Sequence, residues 1–361
     1  MSEFRPGLEG VIAFETEIAE PDRDGGALRY RGVDIEELVG KVRFENVWGL
    51  LVDESPYPGL PPAEPYHAQG LTGQAPADLQ AVTAHLGAEW RLGQLIDISD
   101  EQAHDDLRRL SATMISVVAQ SARLADGKRE PVPRRVVEQG SGTAERFLLE
   151  WRGEADPKHV TAIDTYWICT AEHGINASTF TARVVASTGA DCAACLSAAV
   201  GALSGPLHGG APARVLPMLD AAASADDIEA YVRRVLDSGQ RLMGFGHRVY
   251  RAEDPRARLL RRTAKELGSP RFEVAEALER AALAELAARH PERVLATNVE
   301  FWSAVVLDLA EIPPPLAPAM FACSRTAGWS AHILEQKRTG RLIRPSARYV
   351  GPASRPLASV S

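Results

Sequence analysis

Apolar residues recur at helical spacing through most of the chain. Between about residues 77 and 125 the spacing is visible at Leu107, Leu110 and Met114, which share one face of a helix. Residues 159–203 are apolar on nearly every face and are broken only by small polar clusters. Because a helix that is apolar all round must be buried, we expect residues 159–203 to form the core of the larger domain.

Residues 224–238 have the pattern of a surface helix. Ser224 is the expected N-cap, and Asp227 stands three positions further on, where a capping partner is favoured. Gly239 is expected to end the helix. The members of its apolar stripe are Ile228, Tyr231, Val232, Val235 and Leu236.

Three further helices are predicted in the second half of the chain. Residues 272–290 repeat the apolar spacing of a surface helix. A more apolar helix follows Asn298 and runs to about residue 310, where the prolines at 313–315 prevent its continuation. A last helix covers roughly residues 317–338, before a tail rich in Pro, Ser and Gly.

Only the first fifty residues suggest strands. Two short apolar runs on either side of a Gly/Asp-rich turn at 22–26 predict a small strand pair, and a helix is expected to start at Asp34. Residues 54–66 hold five prolines and must form a loop, and a second loop is expected around 131–142. Since strands and helices do not alternate, the predicted fold class is all-α.

Composition narrows the possible partners. The chain has 361 residues, with 45% hydrophobic and 24% charged residues, as is ordinary for a globular protein with one large or two smaller domains. Its net charge of −8, without a long basic run, argues against nucleic acid as the main partner. An anionic small molecule remains compatible with this charge.

Four cysteines occur in a chain without a recognisable secretory leader. The Cys192-x-x-Cys195 pair has no second pair or histidine cluster to complete a metal or redox site, so burial by packing is favoured over metal binding. No apolar run reaches about 18 residues, the length of a membrane span. We therefore expect a cytoplasmic protein with no membrane association.

The strongest chemical signal in a single stretch is G-F-G-H-R-V-Y-R at 244–251, followed by D-P-R at 254–256. Two glycines let the backbone approach a ligand closely, and His247 stands beside several arginines. Arginine binds carboxylate or phosphate through a planar fork, so this stretch suits a small, multiply anionic substrate. A surface turn with solvated arginines is the alternative, because G-x-G alone is a weak motif.

Three other clusters place polar groups next to apolar helices. They are A-E-H-G-I-N-A-S-T-F at 171–180, G-P-L-H-G-G-A at 205–211, and N-V-E at 298–300. Each contains a histidine or a carboxylate beside a glycine or at a helix start. Their number argues against chance placement.

Taken in order, these motifs resemble those of citrate synthase. The resemblance runs from about Gly7 to Arg348 and is closest to the short bacterial form, including G-x-L-x-Y-R-G-x-D-I at 26–35. It implies an all-α fold with a large domain and a small domain that closes over the substrates. The implied division is 1–208 and 303–361 for the large domain and 209–302 for the small domain.

The resemblance also implies catalytic roles for three residues. Glu300 would remove a proton from the methyl group of acetyl-CoA, and His208 would donate a hydrogen bond to the thioester carbonyl. His247 would polarise the ketone of oxaloacetate and protonate the new alkoxide. A carboxylate base and a hydrogen-bond donor are the groups that forming an enolate beside a thioester requires.

Further residues would bind the two substrates. The implied oxaloacetate ligands are His173, Arg256, Arg325 and Arg344, the last of which would reach into the site of the partner subunit. The implied CoA-binding residues are Arg251, Gly244 and Gly246. A hydrogen-bonding role in the core is the alternative for His173, and a place on a helix surface is the alternative for Arg325.

This chain departs from the family pattern in three places. The family base is usually aspartate, whereas here it is Glu300, whose extra methylene moves the carboxylate by roughly 1 Å. After the H-G-G-A motif the chain continues with P-A-R at 212–214 in place of the frequent N-E, and the H-P-M-D-x-L-R segment is reduced to A-H-D-D-L-R at 103–108. The fold prediction does not depend on these positions, but ordinary activity does.

Three functions follow from this reading. The first is a citrate synthase that joins acetyl-CoA to oxaloacetate. The second is a 2-methylcitrate synthase that uses propionyl-CoA, since one methyl group is worth only about 1–3 kcal/mol of discrimination. The third is a degenerate paralogue that binds oxaloacetate or CoA without turnover. The resemblance implies a homodimer, with no metal and no bound organic cofactor, because CoA enters as part of a substrate.

Overall fold

The computed structural model describes residues 4–22, 24, 26–209, 214–246 and 253–356. Within them the chain forms fifteen α-helices and three short β-strands, which confirms the all-α class. The helices are α1 (Ile35–Leu38), α2 (Phe44–Val52), α3 (Ala75–Glu89), α4 (Asp100–Ala125), α5 (Arg134–Val137), α6 (Thr143–Arg152), α7 (Pro157–Thr170), α8 (Ala177–Ser187), α9 (Cys192–Leu203), α10 (Val215–Ala223), α11 (Ile228–Asp237), α12 (Pro255–Glu266), α13 (Phe272–Arg289), α14 (Val299–Leu309) and α15 (Ala317–Thr339).

The predicted strand pair is confirmed, and a third strand joins it in the observed sheet. Strand β1 (Ala19–Asp22) pairs antiparallel with β2 (Ala27–Tyr30), and β2 pairs with β3 (Val33–Asp34). The Asp34 side chain accepts a hydrogen bond from the Glu36 backbone N–H and so caps α1. These strands lie at the edge of the helical core, into which Tyr30 is fully buried.

Helix α15 lies in the centre of the molecule. It packs against α2, α4, α7, α8 and α9, and nearly all of its residues from Ala317 to Gln336 are buried. The fully buried indole rings of the described residues include those of Trp48, Trp167 and Trp329 in this part of the core. The Trp167 Nε1–H donates to the Met320 carbonyl oxygen at 3.0 Å and so ties α7 to α15.

The apolar stretch at 159–203 forms α7, α8 and α9, as predicted. Each of these helices begins at a polar residue whose side chain caps it, namely Asp156, Asn176 and Asp191. The stretch at 77–125 is instead divided, because α3 ends at Glu89 and Ser99 caps a new helix, α4. Helix α2, with seven of its nine residues buried, has no counterpart among the predictions.

The predicted cap at Ser224 is wrong. Asp227 is the N-cap of α11, and its Oδ1 accepts a hydrogen bond from the Ala230 backbone N–H at 3.0 Å. Ser224 ends the preceding helix, α10, where its hydroxyl donates to the Asp220 carbonyl oxygen. Both residues favour caps, and the sequence pattern did not separate the end of one helix from the start of the next.

The loop predicted at 131–142 contains one short helix, α5. The helices predicted at 272–290, 298–310 and 317–338 are confirmed as α13, α14 and α15. Helix α14 ends at Leu309, before the proline run, and a 3-10 turn at Pro314–Leu316 leads into α15.

Helices α10, α11 and α13 pack on one another, whereas α12 and α14 pack together and also contact α7 in the core. The two groups are joined, because α10 also contacts α14 and Trp302 of α14 donates a hydrogen bond to Glu279 of α13. Helix α14 crosses the predicted boundary at residue 302. The limits 1–208, 209–302 and 303–361 stay a prediction.

All four cysteines, Cys169, Cys192, Cys195 and Cys323, are buried and unpaired, as the packing interpretation requires. Burial raises the pKa of each thiol, which keeps it protonated and unreactive. Within the described part of the chain, no helix is both long enough and apolar enough to cross a membrane.

Candidate active site

The segments that carry the motifs meet at the carboxyl end of α7. Helices α12, α14 and α15 all contact α7, and the turn between α7 and α8 holds the 171–176 cluster. His208 lies in the turn after α9, and Glu300 lies in the first turn of α14. Arg256 lies in the first turn of α12, and Arg325 lies in the middle of α15.

His208 is held by one hydroxyl group and one aromatic ring. Its backbone N–H donates to the Gly205 carbonyl oxygen at 2.9 Å, which closes the turn after α9. Its Nε2 lies 2.9 Å from the Ser178 Oγ in the first turn of α8. Its ring also meets the ring of Phe321 edge-on, with 5.9 Å between centroids.

Ser178 is the side-chain hydrogen-bond partner of this imidazole. Its Oγ accepts a hydrogen bond from Trp329 Nε1–H at 3.2 Å, so its own proton is free to go to Asn176 Oδ1 or to His208 Nε2, each 2.9 Å away. Asn176 Oδ1 already accepts from the Thr179 backbone N–H. When the serine donates to Nε2, the imidazole proton is on Nδ1, and Nδ1–H becomes the donor for a ligand.

His208 is neutral at physiological pH. Burial, together with the positive charge of Arg325, lowers its pKa to about 4. A neutral imidazole donates one hydrogen bond without delivering a full positive charge, which suits stabilisation of an enolate oxygen.

Glu300 lies in the first turn of α14. Asn298 caps α14 by accepting a hydrogen bond from the Glu300 backbone N–H at 3.0 Å. Burial raises the pKa of the Glu300 carboxyl, Arg256 opposes the rise, and Asp254 adds to it. The carboxylate has no hydrogen-bond partner among the described residues, so it is poised to accept a proton.

The two glycines at 244 and 246 support the start of α14. Gly246 N–H donates to the Ala296 carbonyl oxygen, and Asn298 N–H donates to the Gly244 carbonyl oxygen, both within 2.9 Å. Gly244 has a φ of +87°, and a Cβ there would lie 2.6 Å from the Phe301 Cβ. The helix that carries Glu300 therefore requires glycine at 244, whether or not CoA binds here.

Arg256 is buried and paired. Its Nε and NH2 groups donate to the two carboxylate oxygens of Asp254 at 3.0 and 2.8 Å. Asp254 Oδ2 also accepts from the Val299 backbone N–H at 3.1 Å. This forked pair joins the first turn of α12 to the first turn of α14 and holds a guanidinium group beside Glu300.

Arg325 is 2% exposed, so the helix-surface alternative for this residue is wrong. Its Nε donates to the Thr170 carbonyl oxygen at the end of α7, at 2.7 Å, and its guanidinium lies 4.6 Å from the centre of the Phe321 ring. Its NH1 is buried with no acceptor among the described residues. A buried donor without a partner is costly, and an anionic ligand would supply the missing acceptor.

The other predicted site residues are only partly placed. His173 lies half-buried in the turn between α7 and α8, next to Glu172, and its role stays a prediction. Arg344 is exposed in the extended segment after α15, and the structure does not bring it into the site of its own chain. His247 and Arg251 lie outside the described residues.

Three residues that bear on the site carried no predicted role. Ser178 stood inside the 171–180 motif, but its partner His208 is 30 positions away. Phe321 is four residues before Arg325 on α15, a spacing that places both on one helix face. Asp254 precedes a proline at a helix start, which is an N-cap signal, and it does cap α12.

The altered segment at 103–108 lies away from these residues. His104 Nδ1 and Arg108 NH2 both meet Asp53 Oδ1, at 3.2 and 2.8 Å, just beyond the end of α2. In this chain the segment therefore ties α4 to α2.

Comparison with known proteins identifies the family. The sequence model of the family described as "Citrate synthase, C-terminal domain" matches residues 7–346. A protein of Mycobacterium tuberculosis named "Putative citrate synthase 2" is 60% identical over 359 residues, which cover 99% of this chain and 95% of that protein. "Citrate synthase" of Haloferax volcanii is 35% identical, with 97% and 96% covered, and "Citrate synthase 2" of Bacillus subtilis is 36% identical, with 96% and 95% covered.

Solved structures agree with the sequence comparison. The citrate synthase of Thermoplasma acidophilum, solved as a ternary complex with carboxymethyl coenzyme A and oxaloacetate, superposes with a TM-score of 0.84 at 28% identity, over 99% of this chain and 100% of that one. Citrate synthase from Pyrobaculum aerophilum gives a TM-score of 0.81 at 32% identity, over 98% and 94%. The chain belongs to the citrate synthase family, with its two-domain all-α fold, and is an acyltransferase of the citrate (Si)-synthase type.

Proposed function

We propose that this chain condenses acetyl-CoA with oxaloacetate and water to give citrate and CoA. The observation that carries the proposal is one electrostatic neighbourhood. In it lie a neutral imidazole, two buried guanidinium groups and a carboxylate without a hydrogen-bond partner among the described residues. The positive charge of Arg325 lowers the pKa of His208, and that of Arg256 lowers the pKa of Arg325. The charge of Arg256 also opposes the rise in the pKa of Glu300. This set combines a proton acceptor, an enolate stabiliser and binding groups for a dicarboxylate.

In the first step, Glu300 removes a proton from the methyl group of acetyl-CoA. The electron pair of the broken C–H bond moves towards the thioester carbonyl, whose oxygen accepts a hydrogen bond from His208 Nδ1–H. The raised pKa of Glu300 brings its proton affinity closer to that of the acid it must ionise. The buried site strengthens the hydrogen bond to the developing charge.

In the second step, the enolate carbon attacks the ketone carbon of oxaloacetate. Arg325, through its unpartnered NH1, and Arg256 provide positive charge for the two carboxylates, and His173 adds a hydrogen bond. The ketone oxygen becomes an alkoxide and takes a proton, in the role that resemblance gives to His247. Water then attacks the thioester of citryl-CoA, which releases the CoA thiol and leaves citrate.

We propose that the pocket is built for glutamate. The start of α14 is fixed by the Asn298 cap and by the close packing of Gly244 on Phe301, so the backbone has little freedom to compensate for a shorter side chain. A carboxylate that reaches the methyl group from this backbone would fall about 1 Å short if it were aspartate.

The site chemistry needs no metal and no bound organic cofactor, since proton transfer and hydrogen bonding are supplied by side chains and CoA arrives as a substrate. The CoA-binding roles of Arg251, Gly244 and Gly246 and the cytoplasmic location stay predictions. No observation favours propionyl-CoA over acetyl-CoA. The degenerate paralogue is disfavoured by the intact pairing of Ser178 with His208 and by the vacant hydrogen-bonding capacity of Arg325.

The reaction itself is tested by product analysis. Purified protein is expected to release thiol from acetyl-CoA only when oxaloacetate is present, and mass spectrometry should identify citrate. The kcat/KM for propionyl-CoA should be lower by about 10-fold or more, since a hydrophobic pocket discriminates one methylene by roughly that factor. A preference for propionyl-CoA would make the chain a 2-methylcitrate synthase, and no release by folded protein would support the binding paralogue.

The role of Glu300 is tested with two variants. Glu300→Gln removes the base and should lower kcat by about a hundredfold to ten-thousandfold, the usual contribution of general acid–base catalysis. Glu300→Asp retains the charge but moves it, and we expect about a hundredfold loss. Both variants should bind oxaloacetate as the unmodified protein does. A rise in kcat for Glu300→Asp would show that the native site is impaired and would refute a pocket built for glutamate.

We further propose a homodimer whose partner completes the site through Arg344. Arg344 is exposed, and it makes no hydrogen bond or ion pair with the described part of its own chain. Sedimentation velocity should give twice the mass of one chain, and Arg344→Ala should raise the KM for oxaloacetate without dissociating the dimer. Full activity in a monomeric species would contradict this proposal.

A further inference from the structure

A buried chain of polar side chains runs from the surface to the site and is not used in the mechanism above. Its members, from the outside inwards, are Glu335, Arg183, His332 and Glu172. Arg183 is 1% exposed, and both His332 and Glu172 are 0% exposed. Burying charged groups to this degree is unfavourable unless their partners are fixed, so the chain needs an explanation.

The outer end is fixed by the segment that precedes β1. Glu335 Oε1 accepts hydrogen bonds from the Thr16 hydroxyl and the Glu17 backbone N–H. Its other oxygen pairs with Arg183 NH1, and the Arg183 guanidinium also stacks on Phe14 at 4.2 Å. Arg183 is thereby held in one orientation.

The donors and acceptors along the chain are determined. Arg183 NH1 lies 2.9 Å from His332 Nδ1, and because a guanidinium can only donate, Nδ1 must be the acceptor and carries no proton. The proton of the imidazole is therefore on Nε2, which donates to Glu172 Oε1 at 3.2 Å. A histidine fixed from one side thus orients a carboxylate on its other side.

The inner end of this chain lies near Arg325, the residue proposed to bind oxaloacetate, but does not hydrogen-bond to it. Glu172 Oε2 packs against Gly328, where a Cβ would lie 2.1 Å from it, and Gly328 is three residues from Arg325 on α15. Burial lowers the pKa of Arg325, and Glu172 is the charged group that most strongly opposes this. Glu172 Oε2 and Arg325 NH1 are both buried without partners among the described residues.

We propose that Glu172, oriented by His332, is a positioning residue that holds the guanidinium of Arg325 ready for a carboxylate of oxaloacetate. Among the described residues, the Arg325 side chain makes a single hydrogen bond, from Nε to the Thr170 carbonyl oxygen. A fixed negative charge on the adjoining turn restricts where the rest of the guanidinium can lie while the site is empty. This inference rests on the proposed function, since it assumes that Arg325 binds the substrate.

The test uses Glu172→Gln, which removes the charge and retains the shape. We expect the KM for oxaloacetate to rise about tenfold, with the KM for acetyl-CoA changed by less than about twofold. Two other outcomes would each overturn the proposal. A fall in the KM for oxaloacetate would mean that Glu172 only repels the dianion, and an unchanged KM with a lower melting temperature would mean a purely structural role.

His332 provides a test of the coupling. His332→Leu should raise the KM for oxaloacetate as Glu172→Gln does, and the double variant should be no worse than either single one, because both act through the same carboxylate. His332→Gln retains an N–H donor and should restore most of the affinity. Additive effects in the double variant would contradict the proposal.

Two further variants guard against failure to fold and against non-specific effects. Glu335→Gln loosens the half-buried outer end and should raise the KM for oxaloacetate by a smaller factor; no change would count against the proposal. Asp78→Asn alters another buried carboxylate, which accepts from Thr72, Gly73 and Ser121 far from the site, and should leave that KM unchanged. A comparable rise in Asp78→Asn would show that the KM reports general destabilisation and would remove the support for Glu172.

Calorimetric titration with oxaloacetate alone separates this inference from the proposed function. If the unmodified protein binds oxaloacetate but releases no thiol, the proposed function fails, and the dissociation constants of the variants still decide the role of Glu172. If the unmodified protein turns over and Glu172→Gln binds oxaloacetate equally well, the positioning role fails and the proposed function stands.

Discussion

The structure depends on keeping two guanidinium groups charged inside a helical core. Arg256 is neutralised by a two-pronged pair with Asp254, which also caps α12 and accepts a backbone N–H of α14. Arg325 is held differently, by the carboxyl end of α7 and by the nearby charge of Glu172. Because an unpaired buried charge is strongly unfavourable, these contacts decide how α7, α12, α14 and α15 meet. The same contacts leave donor capacity on Arg325 for a ligand.

The burial that makes these cations unfavourable also shifts the pKa values of His208 and Glu300. The pKa of His208 is lowered and the pKa of the Glu300 carboxyl is raised. Both shifts have the same cause, because the charged form of each group is poorly solvated. The imidazole is thereby available as a neutral donor and the carboxylate as a stronger base. One low-dielectric site thus produces both roles that enolate formation requires.

Much of the fold could be predicted because its helices are long and strongly patterned. The stretch at 159–203 was predicted from burial on all faces, and its three helices begin at the polar caps Asp156, Asn176 and Asp191. Three features were not predicted: the break at 90–99, helix α2 and the cap at Asp227. Tertiary packing decides where neighbouring helices end. For the site, the motifs indicated His208, Glu300, Arg256 and Arg325. The pairing of Ser178 with His208 and the place of Phe321 could not be predicted, since they depend on contacts across 30 or more residues of sequence.

The central claim is that a buried glutamate acts as the base beside a neutral imidazole. The most direct test is the pH dependence of kcat/KM for acetyl-CoA at saturating oxaloacetate, measured in the unmodified protein and in Glu300→Asp. The base must be ionised to act, so the rate should rise with pH through the pKa of Glu300, above the usual range of a glutamate. Replacing the side chain should move that midpoint. An acid limb that stays at the same pH in Glu300→Asp, or the absence of any limb in the unmodified protein, would contradict this account.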